Sequence, residues 1–119
     1  MKFHDYEKLI VWQKAMDLVV VIYRVTRSFP REEQFGLTSQ IRRAAISVPS
    51  NIAEGCRRST QKDFSHFLII ALGSASEADT QLKLAKRLGL IGDADYNEVD
   101  GLLDEILRML NKLIERFNV

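Results

Sequence analysis

Gln40-Ile41-Arg42-Arg43-Ala44-Ala45-Ile46-Ser47-Val48-Pro49-Ser50-Asn51-Ile52-Ala53-Glu54-Gly55 reads as an amphipathic helix with a proline inside it. Leu37, Ile41, Ala44, Val48 and Gly55 keep heptad spacing, which lines them along one helix face. Asn51 takes the intervening core-type position and Ile46 the opposite face. An interior proline removes a backbone hydrogen bond and crowds the preceding turn, at a cost of about 3 kcal/mol. The expectation is a second helix over about 37–56, bent at Pro49 to fit around its neighbours. A buried asparagine needs a hydrogen-bond partner. Asn51 has two roles open to it: capping a carbonyl that the proline frees, or fixing register as a core asparagine does in coiled coils. The bend also has a functional reading, in which it directs Ser50 and Asn51 toward a partner.

Three further helices follow from the same periodicity. The first spans about 7–28 and carries two apolar stripes. One is Leu9, Trp12, Met16, Val19 and Tyr23; the other is Val11, Ala15, Leu18, Ile22 and Val25. So wide an apolar arc buries more than one face. Phe29-Pro30 ends it, because the residue before proline avoids the helical region. The third helix starts at Thr60-Gln61-Lys62-Asp63, a capping-box-like sequence in which side chains satisfy orphan N–H groups. Its stripe is Phe64, Leu68, Ala71, Ala75, Ala78, Leu82 and Ala85, with Phe67, Ile70, Leu84 and Leu88 beside it, and Gly89 is its expected C-cap. The fourth starts at Asp95-Tyr96-Asn97-Glu98 and runs its stripe through Tyr96, Val99, Leu103, Ile106, Leu110, Leu113 and Phe117. Acids in its first turns and Lys112 and Arg116 in its last suit the helix dipole. Short connections make neighbours antiparallel. The expected fold is a single all-α domain over 1–119, an up-down-up-down four-helix bundle with left-handed crossings near +20°.

Composition narrows the function classes. A chain of 119 residues with 46% hydrophobic content suits one globular domain. One cysteine, Cys56, excludes an internal disulfide and fits a reducing compartment. No stretch of eighteen apolar residues marks a membrane span, and the N-terminus lacks the apolar core of a signal peptide. The expected location is cytoplasmic, with no membrane partner. Formal net charge is only +1, but it is unevenly spread. Residues 24–58 carry a net +4 and residues 93–119 a net −4. This asymmetry serves intramolecular pairing, head-to-tail self-association, or a basic face for an anionic partner.

Six arginines are the candidates for such a face: Arg24, Arg27, Arg42, Arg43, Arg57 and Arg58. Arginine patches bind nucleic acid largely by displacing counterions. The same residues serve as solvated surface, or as salt bridges across a subunit interface. No aromatics for base stacking interleave with them, and Phe64 and Phe67 read as core. Apolar residues exceed what one small bundle needs: Ile46, Leu84, Leu88, Leu102 and Met109 add to the broad first helix. Self-association is therefore expected. Small residues at Ala71, Gly73, Ser74, Ala75, Ser76 and Ala78 permit close helix approach. No catalytic or metal site is expected and no cofactor. His4 and His66 lack the Glu-x-x-His spacing of bundle di-iron centres, and Glu77 and Asp79 lie on different faces. Cys56 has no partner motif, and no glycine-rich phosphate loop occurs.

Several motifs converge. Leu9-Ile10-Val11-Trp12-Gln13-Lys14-Ala15-Met16, Phe29-Pro30, Phe35-Gly36-Leu37-Thr38-Ser39-Gln40-Ile41-Arg42-Arg43-Ala44 and Val48-Pro49-Ser50-Asn51-Ile52-Ala53-Glu54-Gly55 resemble the bacterial 23S rRNA intervening-sequence proteins. Phe64, Phe67, Ala71, Gly73, Ser74, Glu77 and Leu88-Gly89 extend the resemblance over nearly the whole chain, with Trp12, Pro49, Asn51, Glu54 and Gly55 as its signature. The resemblance implies a four-helix bundle that assembles into a ring-shaped homopentamer. It also implies kinship with the accessory variability protein of diversity-generating retroelements, which is strongly basic and binds nucleic acid and reverse transcriptase. The near-neutral charge of this chain departs from that relative. The resulting expectation is a non-enzymatic homo-oligomeric assembly or binding module. The alternative is RNA or DNA binding through the arginine-rich face of the oligomer, and a protein partner is a third class.

Overall fold

Helix-forming sequence fills almost all of the protein between short turns, and the computed structural model describes residues 5–117. The helices are α1 (Ile10–Thr26), α2 (Leu37–Cys56), α3 (Gln61–Arg87) and α4 (Asp93–Phe117). Single 3-10 turns at Tyr6–Lys8 and Arg31–Glu33 precede α1 and α2. No strand occurs among the described residues. The helices form a four-helix bundle of 45 × 23 × 21 Å. In it α1 packs on α2 and α4, and α3 packs on α2 and α4, so sequence neighbours are spatial neighbours and the diagonals stay apart.

Local chemistry sets the helix ends. Thr60 Oγ1 accepts from the Asp63 N–H at 3.1 Å and starts α3 as its capping sequence predicts. Gly89 has φ 73°, and its N–H reaches the Lys86 carbonyl while that of Leu90 reaches Ala85. This is a Schellman closure, which glycine alone adopts without a Cβ penalty. The α-helical part of α1 is shorter than the expected 7–28. Leu9 sits at its N-cap in extended conformation with no side-chain cap, so the preceding residues form the 3-10 turn instead. At its C-terminal end Thr26 Oγ1 donates to the Ile22 carbonyl at 2.7 Å and Ser28 Oγ to Val25 at 3.0 Å. The fourth helix begins at Asp93, two residues before the expected Asp95.

The α1 stripe Val11, Ala15, Leu18, Ile22 and Val25 lies in the core. The companion stripe flanks it, with Leu9, Trp12, Val19 and Tyr23 half-buried and Met16 exposed. The expected α3 stripe is buried at every position from Phe64 to Ala85. Ile70, Leu84 and Leu88, beside that stripe, are exposed, and Phe67, expected in the core, is half-buried.

In α2 the core register differs from the heptad. Ile52 is fully buried and takes the core position, while Asn51 is only half-buried. A straight α-helix has 3.6 residues per turn, so its inner face drifts ahead of a strict 3.5 repeat. Four residues past Val48 the inner position falls on Ile52. Helix α2 runs unbroken through Pro49, whose ring is buried. The missing N–H leaves the Ala45 carbonyl without its usual donor. Asn51 does not cap that carbonyl: its Nδ2 donates to Ser47 O at 2.8 Å and to Ser47 Oγ at 2.9 Å. Ser50 Oγ donates to the Ile46 carbonyl at 2.8 Å.

Gly73 and Gly101 lie in helix interiors, exposed, and a Cβ built on either meets nothing within 4 Å. Gly73 therefore does not mediate close packing inside the protomer; Ala71, Ala75 and Ala78 are the buried small residues. Gly101→Ala and Gly73→Ala are each expected to raise stability by about 0.5–1 kcal/mol, because alanine restricts the unfolded chain and keeps the helix. Urea unfolding at fixed protein concentration reads this; a lower midpoint would contradict the open setting.

Candidate interaction surfaces

The six candidate arginines do not form one face. Arg24, Arg27, Arg42 and Arg43 gather toward the end where α1 finishes and α2 begins. Arg57 and Arg58 sit at the opposite end of α2, about 20 Å away at 1.5 Å per helical residue. Their partners also differ. Arg24 pairs with Glu98 and, at 3.9 Å, with Asp95 of α4 in the same chain. The Glu98 hydrogen bond holds the Arg24 guanidinium pKa above its ordinary value. Arg42 stacks 4.4 Å over the Tyr23 ring, and its Nε donates to Thr26 Oγ1 at 2.9 Å. Arg57 lies 5.5 Å over the Tyr6 ring. Arg58 pairs with Glu54 at 2.8 Å and lies 4.7 Å over Phe67. Arg27 and Arg43 are exposed and make no ion pair among the described residues.

Part of the charge asymmetry is thus settled inside the protomer. Besides the Arg24 pairs, Lys14 reaches Glu105 of α4 at 3.2 Å. Arg108 pairs with Asp104 within α4.

The signature residues have structural positions. Trp12 meets Tyr6 edge-on at 5.2 Å, tying the N-terminal turn to α1. Gly55 lies where α2 and α3 touch: a Cβ there would sit 3.0 Å from Phe67 Cβ and 3.3 Å from the Phe64 carbonyl. At the same seam Ser74 Oγ donates to Ser47 Oγ at 2.8 Å. Asn51 therefore braces the α2–α3 contact through Ser47, from outside the core. Glu54 serves Arg58.

Apolar surface is present on more than one side. Phe35 is 90% exposed and Val20 68%. Ile10, Leu88, Ile69, Leu84, Met16 and Ile46 are also exposed, whereas Leu102 and Met109 are half-buried. Sequence periodicity could not flag Phe35, because it lies in a turn with no period to read. Tyr6 and Thr26 carry no periodic signal, and Tyr23 reads only as part of the α1 apolar stripe, so none of these partners of Arg57 and Arg42 stands out in the sequence.

Among the described residues no group of three or more His, Cys, Asp and Glu side chains lies close enough to hold a metal. His4 lies outside the described residues. Cys56 is buried, and desolvation pushes its thiol from an ordinary 9.0 up to about 11. The folded state therefore favours the neutral thiol. Its contribution to stability is complete below about pH 9 and is lost as pH rises toward 11. Native Cys56 is expected to react with a thiol reagent at pH 8 at least about tenfold more slowly than the urea-unfolded chain, since thiolate and access both fall with burial. Equal rates would place the thiol at the surface.

A family model for the 23S rRNA-intervening sequence protein matches residues 7–112. The chain belongs to that family. The matched residues run from the turn before α1 to near the end of α4, so they span α1, α2, α3 and most of α4. A solved structure from Bacteroides thetaiotaomicron VPI-5482, described as a protein with unknown function from the S23 ribosomal protein family, is 28% identical with a TM-score of 0.80. It covers 88% of this chain, and the match takes in 98% of its own length. No curated protein matches the chain. No helix among the described residues is long and apolar enough to cross a membrane.

Proposed function

We propose that this member of the 23S rRNA-intervening sequence protein family is a non-enzymatic, self-associating bundle, a cytoplasmic homo-oligomer of five copies that works as an assembly or binding module. The observation that carries it is the exposure of large apolar side chains, led by Phe35 and Val20. Each such side chain gains about 1.5–3 kcal/mol when removed from water. A single bundle of this size leaves them no internal partner. The number five comes from the family resemblance. Among the described residues, ion pairs raise the pKa values of Arg24, Lys83 and Arg108 at the surface, and burial raises that of the Cys56 thiol.

Light scattering on the full chain tests the proposal. The expected mass at micromolar concentration is about five times the 13.6 kDa of one chain. A protomer mass at that concentration would end it. The nucleic-acid reading has less support, because Arg24, Arg42, Arg57 and Arg58 are engaged within the chain and the clusters lie at opposite ends. RNA binding at low salt that weakens steeply as salt rises would favour it instead.

A further inference from the structure

Self-association leaves open which surfaces meet. Phe35 projects from the turn between the Arg31–Glu33 3-10 helix and α2. That turn is held: the Gly36 N–H donates to Glu33 O at 3.0 Å, and Glu33 Oε1 accepts from the Leu37 N–H at 3.2 Å. The backbone that carries Phe35 is thus held, which lowers the ordering cost of burying this apolar knob. Tyr23, Ile46 and Arg43 lie along the same open groove of about 450 Å³ between α1 and α2.

A second open groove, of about 420 Å³, runs between α1 and α4. It is lined by Val20, Val21 and Leu102, with Asp17 and Glu98 beside them, and Glu98 is already paired with Arg24. Asp17 is exposed and makes no ion pair among the described residues, as is true of Arg43. A third groove, between α3 and α4, has exposed Leu84 but a basic rim: Lys83 and Lys86, which pair with Asp79 and Asp93, and Arg87, which makes no ion pair among the described residues. Arg43 beside that rim would meet like charge, which disfavours the pairing.

We infer that the Phe35 knob of one copy seats in the Val20–Leu102 groove of a second copy, with Arg43 of the first facing Asp17 of the second. This assignment rests on the self-association reading above. The knob lies on the α1–α2 side and its receptor on the α1–α4 side of the same chain. The contact is therefore head-to-tail and not self-complementary, and repetition produces a closed ring or an open filament, not a two-fold dimer.

Reciprocal charge exchange tests it on the full-length chain, by light scattering across a dilution series. Arg43→Asp and Asp17→Arg are each expected to raise the half-assembly concentration about tenfold or more, by setting like charges face to face. The double variant restores the pair at every junction, so its half-assembly concentration returns to within about threefold of wild type. Phe35→Ser, which removes the knob, is expected to shift it by at least about tenfold. All three positions are exposed, and circular dichroism should show unchanged helicity. Singles that assemble like wild type, or a folded double variant that fails to recover, overturn the assignment while self-association stands. A wild-type chain that stays monomeric overturns self-association itself.

Discussion

Phe64→Ala is expected to lower the stability of the protein by about 3–5 kcal/mol, the largest effect of any single truncation proposed for it. Phe64 is fully buried in the first turn of α3. Its ring meets Phe117 of α4 edge-on at 5.4 Å, and it also lies against Gly55 of α2. Removing it deletes contacts to two other helices at once. The cavity cannot close easily from the α2 side, because Gly55 is already held close against α3. A domain of this size has about 5–15 kcal/mol in total, so much of the folded population is at risk. Urea titration at fixed protein concentration reads the loss as a lower midpoint with an unchanged slope. The concentration must be fixed because any self-association adds to apparent stability. A loss under about 1 kcal/mol would mean that the ring does not anchor the core.

Gly55→Val is expected to cost about 3 kcal/mol by the opposite route, overpacking. Its first added carbon would sit 3.0 Å from Phe67 Cβ and 3.3 Å from the Phe64 carbonyl. Neither neighbour is the free end of a flexible side chain, so α2 and α3 must move apart. Gly55→Ala should cost less, because about 1 kcal/mol of helix propensity offsets part of the clash. The contrast with Gly101→Ala is the informative comparison: the same exchange, in a helix interior, changes sign with its surroundings. A stabilised Gly55→Ala variant would show that the seam has slack. Loss of the Ser47–Ser74 hydrogen bond in the valine variant is a further expected consequence, since the bond spans the same two helices.

The helices themselves were legible because each carries a period and usually an end signal. The α3 stripe from Phe64 to Ala85 and the caps Thr60 and Gly89 are local matters, decided by spacing and by backbone preference. The α2 limits, Leu37 to Cys56, follow from the same pattern. The family motifs lie in these elements, and so the bundle and its family could both be reached from residue order.

Tertiary structure decided the rest, for physical reasons. Asn51 and Ile52 differ by one residue, and a strict heptad puts Asn51 in the core; the folded helix buries Ile52 instead and leaves Asn51 to brace Ser47. Closeness in sequence groups the six arginines as one basic set. Only packing shows that Arg24 turns to α4 while Arg42 turns to α1, because partners come from elements distant in the chain. Phe35 has no period to betray it, and its exposure is a property of the turn that holds it. What the sequence alone determined is therefore the local part: four amphipathic helices, their ends and the bundle they form. Which charges are already paired, and which apolar side chains remain outside, depends on contacts between distant residues, and these exist only once the chain has folded.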